Sequence, residues 1–503
     1  MAEKNALQKA RPPVVAIMGH IDHGKSTLLD YIRKSNVVEK EAGGITQHIN
    51  AYEIVHDTPT ENRKITFIDT PGHEAFTGSR KTGARIADII LLIISAEEGV
   101  KAQTIESLKM ITDANVPYII VINKIDRPNA NPEKTKQGLA EIGVLVEGYG
   151  GHIPCALISS KTGEGIPELL DLILLAGDIE ELTGDSKIPA TGFILESSVD
   201  KKIGVTGTVI IKNGTLKTGM FLCVGEIISK IKRLEDFTGK QIKEASFSSP
   251  VRVSGLSEIP PRDSHFKSFI DKKDADEYAK LFKENKEEFK NPVSSNEEDT
   301  RLMIPIVIKA DVLGILLAIE KEIKKINLPE DRAYIKILTK GIGDINESDL
   351  KSAHAAKNPI IIGFNIKIDK PAQDFADNAK IVPHFFSIIY KINEYLEPEI
   401  RSRIPKIKVE EVKGRAKVIK LFSRVKNRQL IGMKVQEGTV ELSKQIHLKR
   451  NDIKISRAKA HEMQIQNMKV TKAEHGTQIG AQVECKEDIA LGDILEFFEE
   501  VEK

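Results

Sequence analysis

Apolar runs and helical stretches alternate along the first third of the chain. Five runs are rich in β-branched residues: VVAIMG (14–19), ITFIDT (65–70), DIILLIIS (88–95), YIIVINK (118–124) and CALISS (155–160). Strands that are buried on both faces of a parallel sheet have such near-continuous apolar sequences. The segments between the runs, such as STLLDYIRK and IPELLDLILLA, place apolar residues at helical spacing. The pattern therefore predicts a doubly wound α/β domain.

The remaining two thirds of the chain change pattern several times, which predicts a multidomain protein of α/β plus all-β parts. Short alternating strands broken by turn signals such as KNGT and KTG predict a small antiparallel β-barrel. A charged stretch then predicts a helical linker, for which a solvated spacer is the alternative. Apolar runs and helices alternate again and predict a small α/β/α sandwich followed by a helix. The last segment repeats the barrel pattern, since VQEGTVELSKQIHL lines up with IKNGTLKTGMFLCV. The predicted order is a tail (1–11), the α/β domain (12–183), a β-barrel (188–268), the charged linker (269–300), the α/β/α sandwich (301–390), a connecting helix (391–408) and a second β-barrel (409–503).

Composition narrows the class of protein only slightly. The 503 residues carry 74 Lys+Arg and 73 Asp+Glu, a net charge of +1, so a nucleic-acid partner has to be met by a local patch. The three cysteines are far apart and form no CxxC pair, which indicates a reducing compartment without a disulfide or zinc framework. The longest apolar run, ADIILLIISA, is half a membrane span and contains Asp88. We therefore expect a cytoplasmic protein that does not enter a membrane.

The sequence GHIDHGKS at residues 19–26 matches the phosphate-loop pattern G-x-x-x-x-G-K-[ST]. It follows the apolar strand VVAIM and precedes a helix, so its backbone N–H groups can bind phosphate oxygens. Lys25 is expected to reach the β- and γ-phosphates, and the Ser26 hydroxyl to bind magnesium. A transition-metal site at His20 and His23 is the rival interpretation. It is disfavoured because no third imidazole or thiolate lies nearby in the sequence.

Three further motifs follow predicted strands and indicate a guanine nucleotide. In DTPGH, Asp69 can hold magnesium through water while Gly72 approaches the γ-phosphate. In NKID, the Asp126 carboxylate can accept guanine N1–H and the 2-amino group, which adenine does not offer in that arrangement. Lys124 can lie along the base, Asn123 can bond N7, and ISSKTGEG supplies a backbone N–H for O6 near Ser160. The predicted GTP-binding residues are Gly19, His20, Ile21, Asp22, His23, Gly24, Lys25, Ser26, Asp69, Thr70, Pro71, Gly72, His73, Asn123, Lys124, Ile125, Asp126, Ser159, Ser160 and Lys161.

The phosphate loop together with DTPGH resembles the translational GTPases, whose motifs read G-H-x-D-H-G-K-[ST] and D-x-P-G-H. The resemblance implies that His73 orients the attacking water after the ribosome moves it past a gate of two apolar residues. The matching gate positions are Ile21 and Ile45. Lys25 and magnesium would neutralise charge on the transferred phosphoryl group. Asp22 is a candidate contact for a monovalent cation.

A threonine in the loop EAGGITQHI, at residues 41–49, completes the predicted magnesium site. Thr46 can bind magnesium only while the γ-phosphate is present, so GTP would order this loop and hydrolysis would release it. The predicted magnesium ligands are Ser26, Thr46 and Asp69.

GGITQH, DTPGHEAFT, VIKADVLG, GIGDINESD, NPIIIGFNIK and QEGTVELSKQ resemble one family among these GTPases, bacterial translation initiation factor two. The resemblance extends over nearly the whole chain from Arg11, with a short tail where many members have a long N-terminal extension. It implies a monomeric, ribosome-stimulated GTPase. Such a protein promotes binding of formylmethionyl initiator tRNA to the small ribosomal subunit and the joining of the large subunit.

The resemblance is looser in the terminal barrel, which in the family holds the acceptor end of initiator tRNA. Gln478 and Ile479 stand where glutamate and cysteine are common, and Met433 where cysteine is common. The basic run from Arg401 to Leu430 can contact phosphates, with solvated strand faces as the alternative. The candidate tRNA contacts are Arg424, Lys426, Arg428, Met433, Gln478 and Ile479.

Two other functions stay open at this stage. One is an elongation-factor type of translational GTPase, which GGITQH and the second α/β unit disfavour. The other is a GTP-gated RNA-binding or ribosome-assembly module that hydrolyses GTP slowly, and the unusual residues at 478 and 479 keep it open.

Overall fold

The computed structural model divides the chain into two compact units, residues 1–401 and 402–503. It describes residues 9–33, 46–59, 61–287, 301–328, 333–356, 358–404, 408–466 and 468–502. The predicted gate residue Ile45 and the end of the charged linker lie outside these described residues.

The first part of the larger unit contains a six-stranded sheet with helices on both faces. Its strand order is β3-β4-β2-β5-β6-β7, and only the pair β3–β4 is antiparallel. The elements are β1 (Lys9–Ala10), β2 (Val14–Gly19), α1 (Lys25–Arg33), β3 (Asn50–Asp57), β4 (Asn62–Asp69), a 3₁₀ turn (Glu74–Phe76), α2 (Thr77–Ile86), β5 (Ile89–Ser95), α3 (Ala102–Ala114), β6 (Tyr118–Asn123), α4 (Pro132–Glu141), β7 (Cys155–Leu157), α5 (Ile166–Ile179) and β8 (Thr183–Gly184).

Alternate residues of β2 pack into two separate apolar cores. Val14, Ala16 and Met18 are buried on one face of the sheet, and Val15 and Ile17 on the other. Such burial on both faces is why the strands read as continuous apolar runs. The predicted fold class, a doubly wound α/β domain accompanied by further α/β and β domains, is confirmed.

An antiparallel β unit follows, in which an eight-stranded sheet has the order β13-β12-β18-β9-β10-β17-β14-β15 and β11 pairs with β16. Its strands are β9 (Thr191–Asp200), β10 (Gly204–Asn213), β11 (Thr215–Lys217), β12 (Phe221–Val224), β13 (Ile227–Lys230), β14 (Arg233–Asp236), β15 (Gln241–Ile242), β16 (Glu244–Ser246), β17 (Pro250–Leu256) and β18 (His265–Phe269). The charged stretch forms α6 (Lys272–Glu287), which buries Ala275 and Ala279. Its first half is thus a packed helix and not a free spacer.

A second, four-stranded parallel sheet has the order β20-β19-β21-β22. Its elements are β19 (Leu302–Ala310), α7 (Leu313–Lys324), β20 (Ala333–Ile342), α8 (Glu347–His354), β21 (Ile360–Phe364), α9 (Lys370–Ala379) and β22 (Pro383–Phe386), followed by α10 (Ile389–Arg403). Of the helices in the described part of the chain, none is long and apolar enough to cross a membrane.

The smaller unit is a closed antiparallel barrel around one apolar core. Its sheet runs β23-β30-β25-β26-β29-β24, and β24 pairs back with β23 to close the ring. Its strands are β23 (Lys408–Val425), β24 (Arg428–Glu441), β25 (Gln445–Arg450), β26 (Ile453–Ile465), β27 (Met468–Lys469), β28 (Lys472–Glu474), β29 (Gln478–Cys485) and β30 (Ile494–Glu502).

Candidate nucleotide-binding site

The predicted site residues converge at the carboxyl ends of the parallel strands, where α/β sheets bind ligands. A cleft of about 310 Å³ opens there. It is lined by Ile21, Asp22, Gly24, Lys25, Ser26, Thr27, Thr46, Gly72, His73, Lys124 and Arg127. Sequence reasoning missed Thr27 and Arg127, although each directly follows a predicted motif.

Glycines at both ends of the phosphate loop allow it to pack tightly against the sheet. Gly19 and Gly24 have φ angles of 142° and 89°. A Cβ at Gly19 would lie 2.3 Å from the carbonyl oxygen of Ile93, and one at Gly24 would lie 2.2 Å from Nδ2 of Asn123. Neither position can accept a side chain without moving a buried neighbour, so the loop backbone stays close to the edge of the sheet.

Lys25 lies buried beneath the cleft, and its Nζ donates to the carbonyl oxygen of His20 at 2.5 Å. Burial lowers the pKa of Lys25 to about 8, and the nearby charge of Asp69 opposes that shift. A Cβ at Gly72 would lie 2.6 Å from the same Nζ. The lysine therefore lies between the phosphate loop and the DTPGH loop, where it can reach a terminal phosphate.

Two predicted magnesium ligands meet across the cleft. The Ser26 and Thr46 hydroxyl oxygens lie 2.9 Å apart, although twenty residues separate them in the chain. Asp69 is close enough to Lys25 for its charge to raise the pKa of the lysine. Two hydroxyl oxygens and a carboxylate are the hard oxygen ligands that magnesium prefers, so these residues fit a magnesium ion beside a nucleotide.

His20 and His23 lie near the carboxylate of Glu98, a residue that is remote from them in the sequence. Their ring nitrogens and a carboxylate oxygen of Glu98 lie within 4.8 Å of one another. However, Lys101 and Lys124 lie 3.7 and 3.8 Å from that carboxylate and oppose a divalent cation there. Burial lowers the pKa of His23 to about 3, so its ring is neutral and packs under the loop. A transition-metal site at the two histidines therefore stays disfavoured.

The guanine-facing motifs are linked by hydrogen bonds. Nδ2 of Asn123 donates to the carbonyl oxygen of His23 at 2.9 Å, which ties NKID to the phosphate loop. The Ser159 hydroxyl donates to the Asp126 carboxylate at 2.7 Å, and this bond lowers the pKa of Asp126. Asp126 is exposed beside the cleft and ionised, so its carboxylate is held ready to accept hydrogen bonds from a base.

The contacts of Ser160 bear on which backbone N–H near it is available for guanine O6. The backbone N–H of Ser160 donates to Oδ1 of Asn123 at 2.9 Å, and the Ser160 hydroxyl does the same. A guanine oxygen would have to compete for that donor or take the N–H of Lys161, the next residue. Local spacing could not reveal this, because the competing acceptor lies on another strand.

His73 lies at the mouth of the cleft, and its tautomer is fixed by the backbone. Its Nδ1 accepts the N–H of Ala75 at 3.1 Å, so a neutral ring carries its proton on Nε2. Burial lowers the pKa of His73, against the opposing charge of Glu322. At neutral pH the ring is therefore uncharged and offers an N–H donor.

The segment after Thr46 joins the cleft to the second α/β sheet. Nε2 of Gln47 donates to the carbonyl oxygen of Ser387 at 2.8 Å, and its Oε1 accepts the N–H of Ile389 at 3.2 Å. His48 bonds to Asp311 at 2.8 Å. No sequence motif indicated these contacts, because the partners lie more than 260 residues apart.

The candidate tRNA residues divide into two groups within the smaller unit. Met433 and Ile479 face each other on β24 and β29 and are buried in the barrel core, which argues against a direct contact of their side chains with RNA. Gln478 is exposed beside them. Exposed basic side chains lie where β23 turns into β24: Arg424, Lys426 and Arg428.

The strand order, the phosphate loop and the aspartate predicted to face guanine together indicate a GTP-binding domain of the P-loop class. Family models agree: "Elongation factor Tu GTP binding domain" matches residues 11–176, "Elongation factor G domain 2" matches 189–269 and "Translation-initiation factor 2" matches 278–397. The chain belongs to the translation initiation factor IF-2 family, since a relative of that name is 38% identical and 72% of its length is covered.

Named relatives match nearly the whole of this chain. The translation initiation factor IF-2 of Halothermothrix orenii is 38% identical over 504 residues, covering 97% of this chain and 72% of the relative. That of Nitratiruptor sp. is also 38% identical, over 503 residues, covering 98% of this chain and 59% of the relative. The chain thus spans little more than half the length of the latter. Among solved structures, GDP-bound aIF5B from Aeropyrum pernix matches with 25% identity and a TM-score of 0.47, covering 97% of this chain and 92% of that chain.

Proposed function

We propose that this protein is a translation initiation factor that hydrolyses GTP when the ribosome stimulates it. In this role it promotes binding of initiator tRNA to the small subunit and joining of the large subunit, as a cytoplasmic monomer. The observation that carries the proposal is the meeting of Ser26, Thr46 and His73 at one cleft. These are a phosphate-loop hydroxyl, a switch hydroxyl and a water-orienting imidazole.

The proposed mechanism relies on positioning and electrostatic stabilisation. Lys25 would leave the carbonyl oxygen of His20 for the β- and γ-phosphates. Ser26, Thr46 and Asp69 would hold magnesium, which when bound neutralises charge on the phosphates. With Ala75 N–H occupying Nδ1 of His73, the Nε2–H would donate to the attacking water and hold it in line.

The proposed apolar gate consists of Ile21 and Ile45, and of the two only Ile21 lies within the described residues. Ile21 lies against Gly72, where an added Cβ would be 3.4 Å from its Cγ1. An apolar side chain at this position would keep His73 from orienting water until an external trigger moves it. We therefore propose that GTP hydrolysis by the free protein is slow.

The first experiment measures GTP turnover by the full chain with and without complete ribosomes. We expect stimulation of at least about a hundredfold, the scale of correctly placing one stabilising group. Two variants test the role of His73 in stimulated hydrolysis. His73→Ala should keep GTP affinity and lose stimulated turnover, whereas His73→Gln, which keeps an N–H donor, should retain more turnover than His73→Ala. Absence of stimulation in the wild type would reject the proposal.

A second candidate function is a GTP-gated RNA-binding module with slow hydrolysis. The burial of Met433 and Ile479 supports it, because two positions expected to contact the tRNA acceptor end are in the barrel core. Binding of the full chain to formylated and unformylated initiator tRNA separates the two. A preference for the formylated form supports the initiation factor. Equal binding, together with unstimulated hydrolysis, supports the RNA-binding module.

A further inference from the structure

The largest fully buried side chain in the described part of the chain is one that no sequence motif indicated. Arg80, on α2, has a relative exposure of only 1%. Its Nη1 lies 2.5 Å from the carbonyl oxygen of His73, 3.2 Å from that of Gly72 and 3.3 Å from that of Pro71. One guanidinium nitrogen thus contacts three successive carbonyl groups of the DTPGH loop.

The charge of Arg80 is balanced from a different helix. Its Nη2 donates to the Glu106 carboxylate on α3 at 2.9 Å. Burying a guanidinium costs several kcal/mol of desolvation, and ion pairs of this kind are weak contributors to stability. The buried position of Arg80 is thus better explained by the carbonyl groups that it orients than by a gain in folding free energy.

The orientation follows from the planarity of the peptide group. In a trans peptide the C=O and the following N–H point in opposite directions. Because the carbonyl of Pro71 points to Arg80, the N–H of Gly72 points away from it. Gly72 itself lies beside the phosphate side of the cleft, since an added Cβ there would be 2.6 Å from Nζ of Lys25. The Arg80 contacts therefore turn the N–H groups of this loop away from the protein interior.

We propose that Arg80 is a positioning residue for hydrolysis: by holding the carbonyls of residues 71–73, it aims the Gly72 N–H at the γ-phosphate and sets the backbone from which His73 projects. This inference rests on the proposed GTPase function. It predicts that Arg80 matters for recognising the γ-phosphate and for turnover, and little for GDP, which has no γ-phosphate.

The variants are chosen to separate positioning from folding. Arg80→Gln removes the charge and the multiple donors. Arg80→Lys keeps the charge near Glu106, but an ammonium cannot match the planar fork of the guanidinium. Glu106→Gln keeps the arginine and weakens its anchor. Lys81→Gln is the matched control, because it removes an exposed charge from the same helix.

Four quantities are measured for each variant: the thermal midpoint, the GDP affinity, the affinity for a non-hydrolysable GTP analogue, and kcat and KM for ribosome-stimulated hydrolysis. For Arg80→Gln we expect GDP affinity within about threefold of the wild type and a kcat lower by about a hundredfold, similar to loss of one preorganised donor. The ratio of analogue to GDP affinity should fall, and KM for ribosomes should be unchanged. Arg80→Lys and Glu106→Gln should be intermediate in kcat, and Lys81→Gln should match the wild type.

Two results would overturn the inference. One is a folded Arg80→Gln protein, or a folded Arg80→Lys protein if the first does not fold, with wild-type kcat. The other is a parallel loss of GDP affinity, analogue affinity and thermal midpoint, which would indicate a merely structural role. If the wild type itself shows no ribosome stimulation, the proposed function fails first. If the wild type is stimulated and Arg80→Gln is equally stimulated, only the role of Arg80 fails.

Discussion

Burial shifts the pKa values of individual residues at the cleft, and Lys25 is the clearest case. Its pKa of about 8 reflects the cost of holding an ammonium away from water, which the charge of Asp69 only partly offsets. A bound phosphate supplies the missing negative charge and raises that pKa. Nucleotide binding should therefore be coupled to uptake of a proton by Lys25.

This coupling predicts a pH dependence of GDP affinity. Below pH 7 the lysine is already protonated in the free protein, so its contribution to affinity should be constant there. Affinity should fall as the pH rises through 8, by about fivefold at about pH 8.6, where most guanine N1 still keeps its proton. Titration of fluorescent GDP across this range tests it, and calorimetry in two buffers should detect the proton. A flat profile would mean that Lys25 remains charged when no nucleotide is bound.

A second prediction at the scale of single residues is that Asp126 determines base selectivity. Asp126→Asn replaces an acceptor of two hydrogen bonds with a group that can pair with the xanthine carbonyl. Affinity should move from GTP toward XTP, and loss of a charge-assisted hydrogen bond should cost about 1.5–3 kcal/mol of GTP binding. Ser159→Ala is the control, because it keeps the Asp126 carboxylate and removes the hydroxyl that donates to it and accepts the N–H of Thr162. This variant should weaken GTP binding without favouring XTP. Competition binding measures both, and retained guanine selectivity in Asp126→Asn would reject the assignment of the base site.

At the scale of elements, Gln47 connects the switch segment to the start of α10. Its side-chain amide accepts the N–H of Ile389, one of the helix N–H groups that have no partner within the helix. The Gln47 side chain is buried, so removing its amide would take a hydrogen-bond partner from the N–H of Ile389 and from the carbonyl oxygen of Ser387. The segment after Thr46 is therefore joined to a helix more than 340 residues later by one side chain.

Gln47→Ala should loosen the first turn of α10. An unsatisfied buried donor costs about 1–3 kcal/mol, so amide exchange at Ile389 should be about five- to 150-fold faster. Hydrogen exchange of peptides from this turn measures the change. Gln47→Glu keeps an acceptor for Ile389 and should show less acceleration there. Equal protection in Gln47→Ala and the wild type would mean that the bond does not stabilise the helix start.

At the scale of the larger unit, Asp88 joins three segments. Its carboxylate accepts two bonds from Arg11 at 2.6 and 2.7 Å, one from Lys212 at 2.6 Å and one from the N–H of Val14 at 2.9 Å. Burial alone would raise the pKa of Asp88, but the Arg11 hydrogen bond and the Lys212 charge outweigh it and leave the pKa below its usual value. This carboxylate therefore links the nucleotide-binding sheet to the antiparallel β unit.

Asp88→Asn should destabilise this unit strongly, because Arg11 and Lys212 would keep buried charges without a counter-ion. Breaking one side of such a pair costs about 3–5 kcal/mol. Since the folded pKa is depressed, the contribution of Asp88 is complete above its unfolded pKa and is lost only as the pH falls through the folded value. Chemical unfolding at neutral pH measures the loss, and the difference between Asp88→Asn and the wild type should shrink in strong acid. A pH-independent difference would contradict the charged role of Asp88.

The sequence by itself determined the order of the folding units and most of the cleft. Strands such as VVAIM must be buried on both faces, and GHIDHGKS, DTPGH and NKID follow such strands, so their convergence at one edge of the sheet could be predicted. Only the tertiary structure decided which donors are already occupied and which distant groups meet. The Ser160 N–H engages Asn123, Glu98 approaches His23, Gln47 bonds to Ile389, and Arg80 turns inward to three carbonyls. Periodicity and local spacing report how a segment folds, whereas a hydrogen bond between remote segments depends on how the folded elements pack.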